Sequence, residues 1–256
     1  MTLEELKRIT ASVGERQGWD CSRVRDERDP VPWDYVDVVR RYLRPSDRVL
    51  DVGTGGGEKF LALATHFGTG IGVDASTDMI RMALKNKSSS QTNNVSFEVM
   101  NAKALEFTNA EFDVVLNRHC TVDVRESYRV LRPGGFFITQ QVGARNTQNI
   151  CALFGCGPGG QYEQDPSQGV TTLAEAFRQR GCRVVCTAEY DVRYWFLDVE
   201  SLLFWHKAIP MPEDFDIETH WRQVDQIITE YRAPKGIETN EHRELLIVQK
   251  PFLRPS

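Results

Sequence analysis

A glycine-rich segment is the part of this sequence whose residue types and spacing best suit chemistry. Asp51-Val52-Gly53-Thr54-Gly55-Gly56-Gly57-Glu58 follows a short apolar run and precedes residues with helical spacing. Glycines at such a junction let the backbone approach a ligand closely, and the helix that follows presents backbone N–H groups to it. The segment therefore predicts a loop that binds a nucleotide-like ligand.

The spacing of the glycines distinguishes between kinds of nucleotide loop. A dinucleotide fingerprint, G-x-G-x-x-G, counted from Gly53 requires a glycine at position 58, where the chain has Glu58. Counted from Gly55 it requires a glycine at position 60, where the chain has Phe60. The observed pattern is D-x-G-x-G-x-G, which argues against a dinucleotide loop.

The elements that must position this loop alternate between strand and helix from Asp47 to about Val142. Apolar runs predict strands at 48–52, 70–74, 95–99, 112–116 and 136–142. Helical spacing predicts helices at 59–67 and 77–84, the second with Ser76 as N-cap, and a short helix that closes at 128–131 before a Pro133-Gly134-Gly135 turn. This alternation predicts a parallel sheet with helices on both faces.

The two ends of the chain depart from this alternation. Residues 1–46 predict a helical cover with a polar link that carries Trp19 and Trp33, ahead of a main domain at 47–256. The later predicted elements are a helix at 172–179 and strands at 183–197 and 243–250. Residues from about 200 to 239 are rich in aromatics and histidine, and a connection of that length predicts a cap inserted before the last strand.

Motifs in order along the chain resemble those of the class I S-adenosylmethionine (SAM)-dependent methyltransferases, and more narrowly the branch called methyltransferase domain 11. The motifs are the glycine loop, Gly72-Val73-Asp74, Asn101-Ala102, Phe112-Asp113-Val114-Val115-Leu116-Asn117 and Val130-Leu131-Arg132-Pro133-Gly134-Gly135. The resemblance covers roughly residues 30–142. It implies a doubly wound, mostly parallel, Rossmann-like sheet of seven strands with the last strand antiparallel. It also implies SAM as the cofactor and S-adenosylhomocysteine (SAH) as its product.

The resemblance assigns roles to individual residues. Asp74 stands where the family has the acid that binds the ribose hydroxyls, and a carboxylate can accept both hydrogen bonds of a cis-diol. Asn101 stands where the family usually has an aspartate at the adenine edge, so an amide oxygen would make that bond here. The residues implied to bind SAM are Asp51, Gly53, Thr54, Gly55, Gly57, Asp74, Ala75, Met79, Asn101, Ala102 and Asn117.

The resemblance also places the catalytic and acceptor groups. His119 follows motif IV in a loop that abuts the sulfonium in this fold, and it is the candidate general base because its unperturbed pKa lies near neutral pH. The alternative is an ordinary solvated loop histidine. The candidate substrate residues are Trp33, Tyr35, Gln141, Arg145, Trp205 and His206. For those of the 200–239 segment, the alternatives are helix packing and a dimerisation arm.

Composition limits the class of protein. The chain has 256 residues with 31 basic and 36 acidic side chains, a net charge of −5, which argues against a nucleic-acid partner. No apolar run approaches the length of a membrane span, and the N-terminus lacks a signal-peptide core, so we predict a cytoplasmic protein without membrane contact. Six cysteines without histidines at finger-like spacing predict reduced thiols and no metal.

We therefore predict methyl transfer from SAM to an N or O nucleophile of a small-molecule substrate. Two alternatives remain open at this point: an RNA methyltransferase, and a non-catalytic SAM-binding regulatory subunit. The sequence does not determine the oligomeric state.

Overall fold

The structure is a computed structural model that describes residues 1–14, 21–209 and 211–252, so that Trp19 lies outside the described residues. The helices are α1 (Leu3–Ser12), α2 (Tyr35–Arg40), α3 (Glu58–Leu63), α4 (Thr77–Ser90), α5 (Val124–Val130), α6 (Gln148–Leu153), α7 (Val170–Arg178), α8 (Val199–Ala208) and α9 (Ile217–Glu230). The strands are β1 (Asp26–Arg28), β2 (Arg48–Val52), β3 (Thr69–Asp74), β4 (Val95–Val99), β5 (Phe112–Arg118), β6 (Leu131–Val142), β7 (Arg183–Phe196), β8 (Arg232–Ala233) and β9 (Gly236–Gln249). Among the described residues, no helix is both long enough and apolar enough to cross a membrane.

The chain divides into two compact units. Unit 1 consists of Met1–Pro32, Gly143–Gln164 and Tyr190–Arg243. Unit 2 consists of Trp33–Val142, Asp165–Glu189 and Glu244–Ser256. The long strands β7 and β9 each contribute one part to each unit.

The sheet of unit 2 has the strand order β7–β9–β6–β5–β2–β3–β4. Strands β4, β3, β2, β5 and β6 pair in parallel. Strand β9 runs against β6, because backbone hydrogen bonds join Gly134 to Lys250 near the start of β6 and, within unit 1, Gly143 to His242 just beyond its end. The predicted doubly wound sheet with an antiparallel last strand is confirmed.

Alternating residues of these strands pack into two separate cores. In β9, Leu246 and Val248 join one core and Leu245 and Ile247 join the other. Helices α5 and α7 cover the first core, and α2, α3 and α4 cover the second. A strand that is apolar on both faces is expected when helices lie on both sides of a sheet, which explains the continuous apolar runs of the sequence.

Unit 1 is built around α8 and α9. Helix α1 packs on both, and their shared core contains Leu6, Leu202 and Ile227. Strand β1 pairs antiparallel with the end of β7, and the short β8 pairs antiparallel with β9.

The sequence prediction was wrong at several element boundaries. The fifth predicted strand begins at Leu131 and includes the predicted turn, because Gly134 adopts φ +80° inside the strand opposite a register shift between Phe112 and Val114. The last strand begins at Gly236 and not at Arg243. Its first half is polar, and its side chains bond across to β7, so apolar alternation gives no signal there. Strands β1 and β8 were not predicted.

Candidate functional site

The glycine loop joins β2 to α3 with the backbone in the left-handed region. Gly53, Gly55 and Gly57 have φ values of +74°, +56° and +75°, which L side chains rarely adopt. At Gly53 space is also lacking, because a Cβ there would lie 2.4 Å from the Cβ of Cys120. The loop therefore requires glycine, both for its backbone and for the close approach of the 119–121 segment.

Asp74 fixes this loop to the end of β3. Its Oδ2 accepts a hydrogen bond from Gly55 N–H at 3.0 Å, and its Oδ1 accepts one from Ser76 N–H at 2.9 Å. The N–H groups of Gly53 and Thr54 donate to the carbonyl of Val73. A carboxylate has about four lone-pair sites, so Asp74 can still accept two further hydrogen bonds from a cis-diol.

Asp51 at the base of the loop is a buried acid. Burial, together with the nearby Asp74 carboxylate, raises its pKa to about 6, although the Thr54 hydroxyl and the Arg118 guanidinium act in the opposite direction. Arg118 also lies 5.9 Å from the centre of the Tyr35 ring. Burial and the charge of Asp51 raise the pKa of Tyr35 far above its usual value. Tyr35 is thus a neutral phenol at the wall of the predicted cofactor site.

Arg118 was missed by the sequence analysis. Its Nε atom is buried and has no hydrogen-bond partner among the described residues. The sequence could have indicated a functional role, because Arg118 is a charged residue at the end of a strand that is otherwise largely apolar and buried.

The residues predicted to contact adenine lie after β3 and β4. Ala75 and Asn101 are exposed, and Met79 and Ala102 are half-buried. The Asn101 Oδ1 atom already accepts a hydrogen bond from Lys103 N–H at 2.9 Å, which orients its side chain. A second lone pair on this oxygen remains for another donor.

A buried amide network joins the ends of β5 and β6. The Asn117 Oδ1 atom accepts hydrogen bonds from Thr139 Oγ1 at 3.0 Å and from Gln141 Nε2 at 2.7 Å. Gln141 Nε2 also donates to the carbonyl of Cys120 at 3.0 Å, and Tyr35 Oη donates to the carbonyl of Asn117 at 3.5 Å. Gln141 and Tyr35 therefore support the loop that carries His119.

His119 is exposed and has a left-handed backbone, with φ +54°. Its backbone N–H donates to the carbonyl of Gln140 at 2.9 Å. Trp33 Nε1 lies 3.0 Å from Gln140 Oε1, and Gln140 Nε2 lies 3.4 Å from His119 Nε2. The structure thus joins two predicted site residues, Trp33 and His119, through Gln140.

Cys120 is a second residue that the sequence analysis did not assign to the site. Its thiol lies against Gly53, and burial together with the carboxylates of Asp74 and Asp51 raises its pKa. Its only sequence signal was its place next to His119.

Three of the predicted acceptor residues lie in unit 1. Arg145 is exposed and pairs with Asp191 at 3.1 Å. Trp205 is buried and packs on Phe196, with ring centres 5.5 Å apart. His206 is fully buried and stacks on Phe215 at 4.6 Å. Their assignment to an acceptor pocket stays a prediction.

The surroundings of the glycine loop fit SAM. The left-handed glycines have no side chains that would block a ligand from the loop backbone. Asp74 lies at the end of β3 and still has lone pairs that can accept hydrogen bonds. The buried Arg118 Nε–H has no hydrogen-bond partner among the described residues. It is an unsatisfied donor to which a bound ligand or a water molecule could accept a hydrogen bond. These are properties of a ligand site and not of strand–helix packing alone.

Comparison with known proteins points to one kind of domain. Residues 49–135 match the family model described as a methyltransferase domain. Phosphoethanolamine N-methyltransferase 2 of Caenorhabditis elegans is 26% identical over 236 residues, which are 84% of this chain and 51% of that protein. The chain spans about half or less of the length of the first curated relatives that it matches.

Solved structures of other proteins share the fold, as two examples illustrate. The YcgJ protein from Bacillus subtilis aligns with a TM-score of 0.60 and 20% identity over 85% of this chain and 98% of that one. A SAM-dependent methyltransferase structure from Methanosarcina mazei aligns with a TM-score of 0.53 and 17% identity over 88% of this chain and 100% of that one. At these identities the likeness concerns the fold alone.

Proposed function

Because residues 49–135 form a methyltransferase domain of the class I, SAM-dependent type, we propose that the protein transfers a methyl group from SAM to a nitrogen or oxygen nucleophile of a small-molecule acceptor. The observation that carries the proposal is the Asp74 carboxylate, held by two backbone N–H groups beside a left-handed glycine loop. This arrangement suits a ribose cis-diol at the end of β3.

The protein's contribution to such a reaction is mainly positional. When bound, SAM supplies a methyl group on a sulfonium, which is already activated for displacement. The residues of this chain have to orient that methyl group and the nucleophile in line and to exclude water. The Asn117–Gln141–Thr139 network serves this purpose by fixing the loop that carries His119.

Several observations support a small-molecule acceptor over RNA. The chain is acidic overall, and an RNA backbone favours a basic face. The phosphoethanolamine methyltransferase relative is named for a small amine, which supports nitrogen as the nucleophile. An indole and an imidazole, Trp33 and His119, lie on one hydrogen-bonded array at the ends of the strands. Aromatic and polar groups of this kind are common in small-molecule pockets.

Labelled SAM tests the proposal directly. The protein is incubated with methyl-labelled SAM and a cell extract, which is then separated into small-molecule, protein and RNA fractions. We expect label in the small-molecule fraction, and much less of it with the Asp74→Ala variant at the same SAM concentration. Label in the RNA fraction would contradict a small-molecule acceptor and identify RNA as the acceptor instead. SAH binding without label in any fraction would favour a regulatory SAM-binding subunit.

A further inference from the structure

The orientation of the Gln140 amide is fixed by Trp33. An indole Nε1–H only donates hydrogen bonds, and it lies 3.0 Å from one end of the amide. That end must be the oxygen, because an NH2 group there would place two donors against each other. Gln140 therefore directs its Oε1 atom toward Trp33 and its Nε2 atom away from it.

The fixed amide then determines the state of His119. With its oxygen toward Trp33, Gln140 presents Nε2–H to His119 Nε2 at 3.4 Å. This contact is long, but a proton on His119 Nε2 would oppose two N–H groups, so the unprotonated nitrogen is favoured there. A neutral imidazole carries one proton, which must then be on Nδ1.

We propose that Gln140, oriented by Trp33, is a positioning residue that holds His119 as the Nδ1–H tautomer, so that His119 serves the acceptor as a hydrogen-bond donor and not as a proton-accepting base. The proposal rests on the proposed function, because it assigns His119 a role in methyl transfer. It differs from the base role that the sequence suggested.

The proposal narrows the acceptor to a nucleophile that does not need a base. An amine that is already neutral when bound qualifies, provided that the His119 N–H donates to another polar atom of the acceptor. The amine lone pair then forms the N–C bond while the C–S bond breaks and that electron pair passes to sulfur. The resulting ammonium loses its extra proton to water afterwards. An alcohol would need its proton removed during the transfer, which a donor at His119 does not provide.

Substitutions at His119 separate the two roles. Asn provides an N–H near the position of Nδ1, cannot act as a base, and tolerates the left-handed backbone at φ +54°. We expect the rate of label transfer from SAM to the small-molecule fraction of the extract to fall roughly tenfold in His119→Ala, the range of one neutral hydrogen bond, and to fall clearly less in His119→Asn. A loss of about 10²-fold or more in both variants would indicate a base and overturn the proposal.

The tautomer itself is read by NMR of the ¹⁵N-histidine-labelled protein, without SAM or acceptor. The His119 signal among the five histidines is assigned by its absence in His119→Asn. We expect a protonated Nδ1 and a bare Nε2 in the natural sequence. In Gln140→Glu, a carboxylate replaces the donor, and we expect Nε2 to become protonated.

The matched control is Gln168→Glu. It adds the same charge to the same unit, and it keeps the oxygen that accepts from Val122 N–H at 2.8 Å. The control should keep the original tautomer. If Gln140→Glu does not fold, Trp33→Phe releases the amide and should give a mixture of tautomers.

The outcomes separate the two proposals. An Nε2–H tautomer in the natural sequence, or no effect of either Gln140→Glu or Trp33→Phe, overturns the role of Gln140 even if methyl transfer is observed. The expected tautomer without methyl transfer to any fraction overturns the proposed function alone.

Discussion

The buried Asp51 carboxylate at the base of the glycine loop lowers the stability of the fold when it is ionised. Its folded-state pKa of about 6 lies above the usual 3.8, so the folded chain binds this proton more tightly than the unfolded chain. The free energy of unfolding therefore falls as pH rises from about 4 to about 6, and it stays lower above that window.

Replacing Asp51 removes this cost. We expect Asp51→Asn to unfold with a free energy higher by roughly 1–3 kcal/mol at pH 8, with a difference near zero at pH 4. Urea unfolding across this pH range measures the effect, and Asp37→Asn, at an exposed acid of α2, is the control. A difference that does not change with pH would mean that the carboxylate titrates normally.

Asp74 carries the second prediction at the residue scale. Asp74→Ala removes both the proposed ribose acceptor and the two bonds that hold the loop. We expect SAH affinity by calorimetry to fall by about 1–3 kcal/mol, the cost typical of a hydrogen bond to a charged group. Asp78→Asn, at an exposed acid of α4, should bind SAH normally. Unchanged affinity in Asp74→Ala would place the ribose contact elsewhere.

In the glycine loop, two separate effects exclude a side chain at position 53, namely the backbone conformation and a steric contact. Substitutions can distinguish them. Gly53→Ala combines a left-handed backbone with a contact of 2.4 Å to Cys120 Cβ. We expect urea unfolding to show a loss of about 2–4 kcal/mol. Adding Cys120→Gly removes the contact and should recover about half, leaving the backbone term. If Gly53→Ala lowers the free energy of unfolding by the same amount in the Cys120→Gly background, the contact between the added methyl group and Cys120 is relieved without a loss of stability.

Helix α8 contains a buried imidazole that should make stability depend on pH. The His206 ring is fully buried, and burial lowers its pKa to about 3, with the charge of His220 acting in the same direction and the backbone of Met211 in the opposite one. The unfolded chain then binds more protons, so stability is lost as pH falls from about 6.5 toward 3. We expect the stability of His206→Phe relative to the natural sequence to increase by roughly 2 kcal/mol between pH 7 and pH 5.

The control for α8 is His66→Gln, at a half-buried histidine of unit 2. It measures how much of the pH dependence follows from removing a histidine outside α8. If the stability of His206→Phe depends on pH in the same way as that of the natural sequence, the His206 ring can take up a proton without unfolding of the chain.

Elements with one strong local signal could be predicted from the sequence. The strand ends at Val52 and Asp74 and the N-cap at Ser76 were placed correctly, because apolar runs and a capping side chain are local. The start of β9 could not be predicted, since its polar residues are satisfied only by partners on β7. Gln140 was noticed as a polar residue, but its link to Trp33 depends on a distant part of the chain.

At the scale of the whole molecule, cofactor selectivity is the test of the fold assignment. A ligand that binds only the folded state at about 100 times its Kd stabilises that state by ~2.7 kcal/mol. For a chain of this size we expect SAH to raise the Tm by about 5–10 °C. NAD and NADP should leave it unchanged, because Glu58 and Phe60 break the dinucleotide spacing. A shift with NAD alone would contradict the assignment.

The left-handed backbone at His119 also constrains which substitutions evolution can make at this position. Besides glycine, the residues that best tolerate such a backbone are asparagine and aspartate. A histidine codon becomes an asparagine or aspartate codon by a change of its first base alone, whereas glycine requires a second change. Lineages that lose this histidine are therefore expected to pass through asparagine or aspartate. The asparagine branch retains an N–H donor in the loop, whereas the aspartate branch replaces it with a carboxylate that only accepts hydrogen bonds. The two single-base changes are therefore expected to differ in their effect on the acceptor while the cofactor site stays intact.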